Sequence, residues 1–147
     1  MHWFESQLRE LDRLAEAYVL SQQKSQGNIV DVSEETRIKR NQFIDAVQGL
    51  VDKVSKIKGI SACSAYHDGL ILAHSAKADN VDGYGAMVQD CIRAAQQGGA
   101  MLDLGNIEQI VIVGAVNKVA LLTVGPLVLC ISSSKQLNLA LALSQGK

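Results

Sequence analysis

The side chains able to do chemistry in this sequence are few and scattered. Three cysteines, Cys63, Cys91 and Cys130, are spaced too widely for a metal knuckle or a redox pair, and their number is odd. That pattern suits reduced, buried thiols, and the expected localisation is cytoplasmic. Of the three histidines, His2, His67 and His74, His74 is the one that could approach Cys63 across a hairpin. A Cys-His nucleophile would also need an orienting third group and oxyanion donors, and neither is signalled. Cys63 therefore reads as a buried structural residue, and His67 as a side chain at the edge of a turn. The carboxylates Asp79, Asp82 and Asp90 fall near one helix start. Capping and solvation account for them better than hard-metal ligation, which needs tighter clustering. The phosphate-cradling pattern Gly-x-x-x-x-Gly-Lys-Ser/Thr does not occur, so the chain is not itself a P-loop nucleotidase. Gly83-Tyr84-Gly85 lacks the third glycine and the preceding parallel strand of a dinucleotide fingerprint. The expectation is a non-enzyme with no metal and no cofactor.

Composition narrows the classes that remain. A chain of 147 residues has the length of one domain, which buries roughly two thirds of its unfolded surface. Fourteen Lys and Arg against fifteen Asp and Glu give a formal charge of −1, with no electrostatic footprint for nucleic acid or anionic lipid. One Trp, three Tyr and two Phe leave little material for stacking on bases. A 48% hydrophobic content with small net charge excludes global disorder. Charged residues from Glu5 to Glu16 leave no apolar region for a signal peptide. The longest uncharged run, between Lys118 and Lys135, is shorter than the ~20 residues of a membrane helix and is broken at Gly125-Pro126. It reads as two buried strands, with no membrane insertion.

The elements that must position any site follow from periodicity. Phe4, Leu8, Leu11, Ala15 and Tyr18 recur at helical spacing, with Trp3, Leu14 and Val19 widening the stripe. Ser21 to Asn28 has no period and reads as a linker. A second helix starts near Ser33, an N-cap with Glu34 and Glu35 behind it. It continues through Phe43, Val47, Leu50, Val51, Val54 and Ile57, with Lys56 and Lys58 in its last turn and Gly59 as the stop. Residues 1–32 are thus set apart as an N-terminal amphipathic helix and linker, and 33–147 as the domain body.

After Gly59 the period changes to two. Ile60 to His67 and Leu70 to Ser75 flank Asp68-Gly69, the strongest short hairpin signal because a type I′ turn needs positive φ at both central residues. A third helix covers Val81 to Leu104. Tyr84, Met87, Val88, Cys91, Ala94, Ala95, Gly98, Met101 and Leu102 lie on one face, and Asp82, Ala86, Gln89, Asp90, Arg93, Gln96 and Gln97 on the other. Gly98-Gly99 inside it predicts a kink or a close backbone approach. Ile107 to Ala115, Lys118 to Gly125 and Pro126 to Ser133 read as strands, with Asn117 taking the left-handed place of a tight turn. A last helix runs from about Lys135 to Ser144. The connections after the central helix are too short for parallel crossovers. The expected fold is α+β: a five-stranded antiparallel sheet sandwiched by helices, in the order α-β-β-α-β-β-β-α after the extra N-terminal helix.

Between Asn41 and Leu143 this order, the segment Gly59-Ile60, the hairpin His67-Asp68-Gly69-Leu70-Ile71-Leu72-Ala73, the small-residue helix from Asp82, and the strands Ile110-Val111-Ile112 and Val119-Ala120-Leu121-Leu122 resemble a Roadblock domain. That is the dynein light-chain roadblock type, with bacterial and archaeal small-GTPase-regulator relatives; longin and profilin-like domains share part of the layout. The resemblance implies a homodimer or a dimer with a paralogue, in which central helices lie side by side and third strands join two sheets. Tyr84, Ile110, Val111, Ile112 and Val113 would then form the dimer interface. The edge strand needs such a partner on physical grounds too, since an apolar open edge invites aggregation. Alternation of Ile110 and Ile112 with Val111 and Val113 predicts a strand covered on both faces.

The resemblance also implies an adaptor that scaffolds or regulates a Ras-like small GTPase, held by the outer face of the paired helices: Asp82, Ala86, Gln89, Asp90, Arg93 and Gln97. Arg93 invites comparison with an arginine finger, but a solvated helix-face arginine explains it as well. The N-terminal stripe Trp3, Phe4, Leu8, Leu11 and Tyr18 departs from the minimal family pattern. It either docks on the body or sister subunit, or is presented to a partner's groove. The competing function is a ligand-binding sensor of profilin-like or longin-like fold with a pocket beneath its helices.

Overall fold

The computed structural model of the chain describes residues 5–25, 31–75, 81–124 and 127–145. Two long helices come first, α1 (Glu5–Ser25) and α2 (Asp31–Ser55), then the hairpin β1 (Ile60–His67) and β2 (Leu70–His74). Helix α3 (Val81–Met101) leads to β3 (Gln109–Val113), β4 (Asn117–Val124) and β5 (Leu127–Ser134), and α4 (Leu139–Gln145) closes the chain. The five strands form one sheet in the order β2-β1-β5-β4-β3, every pair antiparallel. The fold is α+β with helices on both faces of the sheet, as the sequence pattern predicts.

Alternation along the strands sends residues to two cores. Ala120, Leu122, Leu127, Leu129 and Ile131 face α2 and α4, where Val47, Leu50, Val51, Val54, Leu139 and Leu143 meet them. Leu121 and Cys130 point to the other face, where they pack with Tyr66 of β1 and Val88 of α3. Full burial of each Leu or Ile removes apolar surface worth roughly 1.5–3 kcal/mol. Helix α1 lies on α2 and shares the first core. Leu11 is 2% and Leu14 7% exposed, and the Tyr18 and Phe43 rings meet edge to face with centroids 6.5 Å apart. Trp3 and Phe4 lie outside the described residues, as does the side chain of Leu8. Among the described residues, no helix is long and apolar enough to cross a membrane.

The β1–β2 turn has Asp68 at φ 51° and Gly69 at φ 80°, the two positive values a type I′ turn demands. Several boundaries differ from the sequence expectation, each for a local reason. Helix α2 begins at Asp31, ahead of the Ser33 cap. Helix α3 ends at Met101 because Asp103 takes the left-handed conformation (φ 58°). Leu104 N–H then donates to the Gly99 carbonyl at 2.8 Å and Asp103 N–H to Ala100 at 3.3 Å, the paired bonds of a Schellman cap. Asn117 is not left-handed. It opens β4, and its carbonyl accepts from Gly114 N–H at 2.9 Å. Gly125 and Pro126 lie outside the described residues. Helix α4 starts at Leu139, with the Asn138 side chain accepting from Leu141 N–H at 3.1 Å.

Candidate functional site

Packing against the sheet decides which part of α3 is left for a partner. Gly85, Val88 and Gly99 are buried, with Ile92 and Ala95 half-buried between them. Their spacing of three and four residues makes one stripe. The stripe works because it is slim at its ends. A Cβ at Gly85 would stand 1.9 Å from the Gly69 carbonyl oxygen of the hairpin turn, and one at Gly99 would stand 2.6 Å from Ile107. The glycine pair therefore serves differently at its two members: Gly99 lets β3's approach close in, whereas Gly98 has open space.

The apolar sector of α3 is wider than the sheet can cover. Tyr84 is 41%, Met87 39% and Met101 88% exposed, so the face read from sequence as one apolar side splits into a buried stripe and a bare flank. Met87 and Cys91 stand one turn apart on that flank, their sulfurs 3.7 Å from each other. Of the residues expected to meet a partner, Ala86, Asp90, Arg93 and Gln97 are exposed. Arg93 pairs with Asp90 at 3.6 Å across one turn. Gln89 differs, because it is half-buried and its Cγ lies against Gly69. The side chain of Asp82 lies outside the described residues.

Strand β3 pairs with β4 along one edge and terminates the sheet. Ile110 is half-buried in the α3-side core. Val111, Ile112 and Val113 are 45%, 47% and 57% exposed, so the expectation of a strand covered on both faces fails within a single chain. Leu102, Leu104 and Val116, in the segments entering and leaving β3, are more exposed still. Sequence reading places Leu102 on the apolar face of the third helix and marks none of the three as exposed. The available signal is an excess of apolar residues over those one helix stripe and one strand face can bury. Exposed large apolar side chains grouped in this way mark an interaction surface.

Among the described residues the thiol and imidazole groups do not come together; His2 lies outside them. Cys63 is buried beside Ala65 on the α2 side of the sheet, and its backbone N–H donates to Ser75 Oγ at 3.1 Å. Burial pushes its thiol up to about 12, with Cys130 and Asp52 adding to the shift. Burial also raises the Cys130 thiol. Such thiols stay protonated at neutral pH, unlike a nucleophile, which needs the thiolate. His74 is exposed, with Nδ1 3.0 Å from the Ser75 carbonyl, and His67 stands 3.4 Å from Asp68 at the turn. Among the described residues no three His, Cys, Asp or Glu side chains are grouped to hold a metal ion. Among the described residues, clefts with an apolar lining lie between α2 and α4 and among α1, α2 and the hairpin, on the face of the sheet opposite α3.

Comparison with known proteins agrees with this architecture. A family model described as Roadblock/LC7 domain matches residues 43–133, from the middle of α2 to the end of β5. A Roadblock/LC7 domain from Streptomyces avermitilis superposes with a TM-score of 0.55 at 17% identity, over 64% of this chain and 81% of that one. MglB of Myxococcus xanthus gives a TM-score of 0.62 at 11% identity, over 70% and 83%. The gliding protein MglB of Thermus thermophilus gives 0.54 at 15% identity, over 67% and 85%. At these identities the likeness is one of fold. No curated protein sequence matches the chain.

Proposed function

The chain belongs to the Roadblock/LC7 domain family, and from that premise we propose that it is a non-catalytic, dimeric module that scaffolds or regulates a Ras-like small GTPase. The observation that carries the reading is the bare β3 edge, together with an α3 flank more apolar than its own sheet can cover. Val111, Ile112 and Val113 expose about half their surface on a strand whose outer edge has no strand partner among the described residues. A second copy, or a paralogue, set antiparallel to β3 would satisfy those backbone groups and cover the valines. The apolar flank of α3 would add to the surface covered, and a stable interface of this kind buries about 1,200–2,000 Å².

Dimerisation of this kind leaves Ala86, Asp90, Arg93 and Gln97 outward on both helices, where a globular partner would meet them. A small GTPase bound there is regulated through differential affinity for its two nucleotide states, since a partner binding both equally shifts nothing. Arg93, engaged with Asp90 and exposed, is a platform residue in this reading. The direct test is capture of purified Ras-like GTPases, loaded with GTP or with GDP, by the immobilised chain. Preference for one state supports regulation, and equal capture of both reduces the role to scaffolding. Failure to capture any, by a chain shown to be dimeric, counts against the GTPase reading.

A further inference from the structure

We propose that the cleft between the end of α2 and α4 is a docking site for an acidic amphipathic peptide segment of another protein. Its apolar wall is formed by Ile57, Leu137 and Leu141, and its rim by Lys53, Lys56 and Lys58. Leu139 and Leu143 of the same short helix turn into the core, whereas Leu141 is 55% exposed toward solvent. The cleft has a volume of about 700 Å³, in the range that accepts several inserted side chains.

Charge identifies the occupant. Three lysines within six residues border the cleft, and among the described residues no carboxylate lines it, in a chain whose net charge is only −1. Lys53 stands in the last turn of α2, where a cation offsets the helix dipole. Lys56 and Lys58 lie beyond the helix end and are exposed. Among the described residues neither takes part in an ion pair. Leucines on the α4 side and lysines on the α2 side match a helix with an apolar stripe flanked by Asp and Glu. The cleft is shallow and open, with its lysines on the α2 side and its leucines on the α4 side, which suits a helix laid along it. The site is on the α2 side of the sheet, away from α3 and β3, so it does not depend on the function proposed above.

The full chain is titrated into a labelled peptide of about four helical turns, with Leu at helical spacing and Glu along one flank, followed by fluorescence anisotropy. Saturable binding is expected, weakened about tenfold or more between roughly 50 and 500 mM salt. Lys56→Glu with Lys58→Glu, and separately Leu141→Asp, should each reduce affinity at least about tenfold while leaving circular dichroism and melting unchanged, because all three residues are exposed. Equal binding of a Gln-for-Glu peptide, or full binding by both variants, overturns the proposal. So does capture of phosphatidylserine vesicles without peptide binding, which would make the site a membrane contact. Self-association that Leu141→Asp abolishes would assign the cleft to a second copy and likewise overturn it.

Discussion

Gly85 of α3 and Gly69 of the β1–β2 turn meet backbone to backbone, so closely that a Cβ on Gly85 would fall 1.9 Å from the Gly69 carbonyl oxygen. This contact sets how near α3 lies to the hairpin and therefore which flank of the helix is left bare. Gly85→Ala should destabilise the fold by about 1–3 kcal/mol, since the clash is with backbone and outweighs the helical preference for alanine. Gly98→Ala in the same helix meets open space and should be neutral or stabilising by up to ~1 kcal/mol. Denaturant unfolding of the two variants separates them. Equal effects would mean that helix propensity, and not the Gly85–Gly69 approach, governs α3.

The N-terminal helix should be part of the folding unit. Leu11→Ala, at a site 2% exposed, should cost about 2–4 kcal/mol through lost burial and the cavity left behind. Val19→Ala, at a site 50% exposed, should stay within about 0.5 kcal/mol. Urea midpoints at constant m-value check both. A Leu11 variant as stable as the parent would mean that α1 is not held on α2 and is available to a partner instead.

Alkaline pH should weaken the fold through Cys63. Its folded-state thiol is pushed up to about 12 from an ordinary 9.0, first by burial. Between those values the folded chain keeps a proton that the unfolded chain has lost, so stability is complete below about pH 9 and falls as pH rises toward 12. The slope contributed by one such group approaches about 1.4 kcal/mol per pH unit. Cys63→Ala removes this group, so urea unfolding at neutral pH and near pH ~10.5 should show the variant losing less stability than the parent. Identical losses would mean that the thiol is solvated.

Substituting the bare edge should separate folding from assembly. Val111→Lys with Val113→Lys places charges on residues that are 45% and 57% exposed, so the single-chain core is untouched. The pair should yield a folded monomer with near-parental circular dichroism, because lysines on an edge strand discourage strand addition. Retention of the dimer in this variant would place the interface elsewhere.

Much of the architecture is legible in the sequence, and the reason is local. Asp68-Gly69 between period-two runs dictates a type I′ hairpin whatever surrounds it, and the short connections after α3 force antiparallel strands. The partition of α3 is not local. Tyr84, Met87 and Val88 are all apolar, and it is the seating of α3 on the sheet, with Gly85 against the hairpin turn and Val88 against Tyr66, Leu121 and Cys130, that buries Val88 and leaves Tyr84 and Met87 outside. Gln89 reads as a solvent-facing polar residue, yet the same approach brings its side chain onto Gly69. Helix ends escape a sequence reading where tertiary structure chooses the cap, as at Asp103, whose left-handed conformation stops α3 before Leu102 and Leu104 can join it.

The most direct measurement is the solution mass of the unmodified chain at micromolar concentration, by sedimentation equilibrium or light scattering, with hydrogen exchange read at β3. Two chains per particle are predicted, with the amides of Val111 to Val113 protected and that protection lost together with the dimer on dilution. A stable particle of one chain with those amides already protected would contradict it.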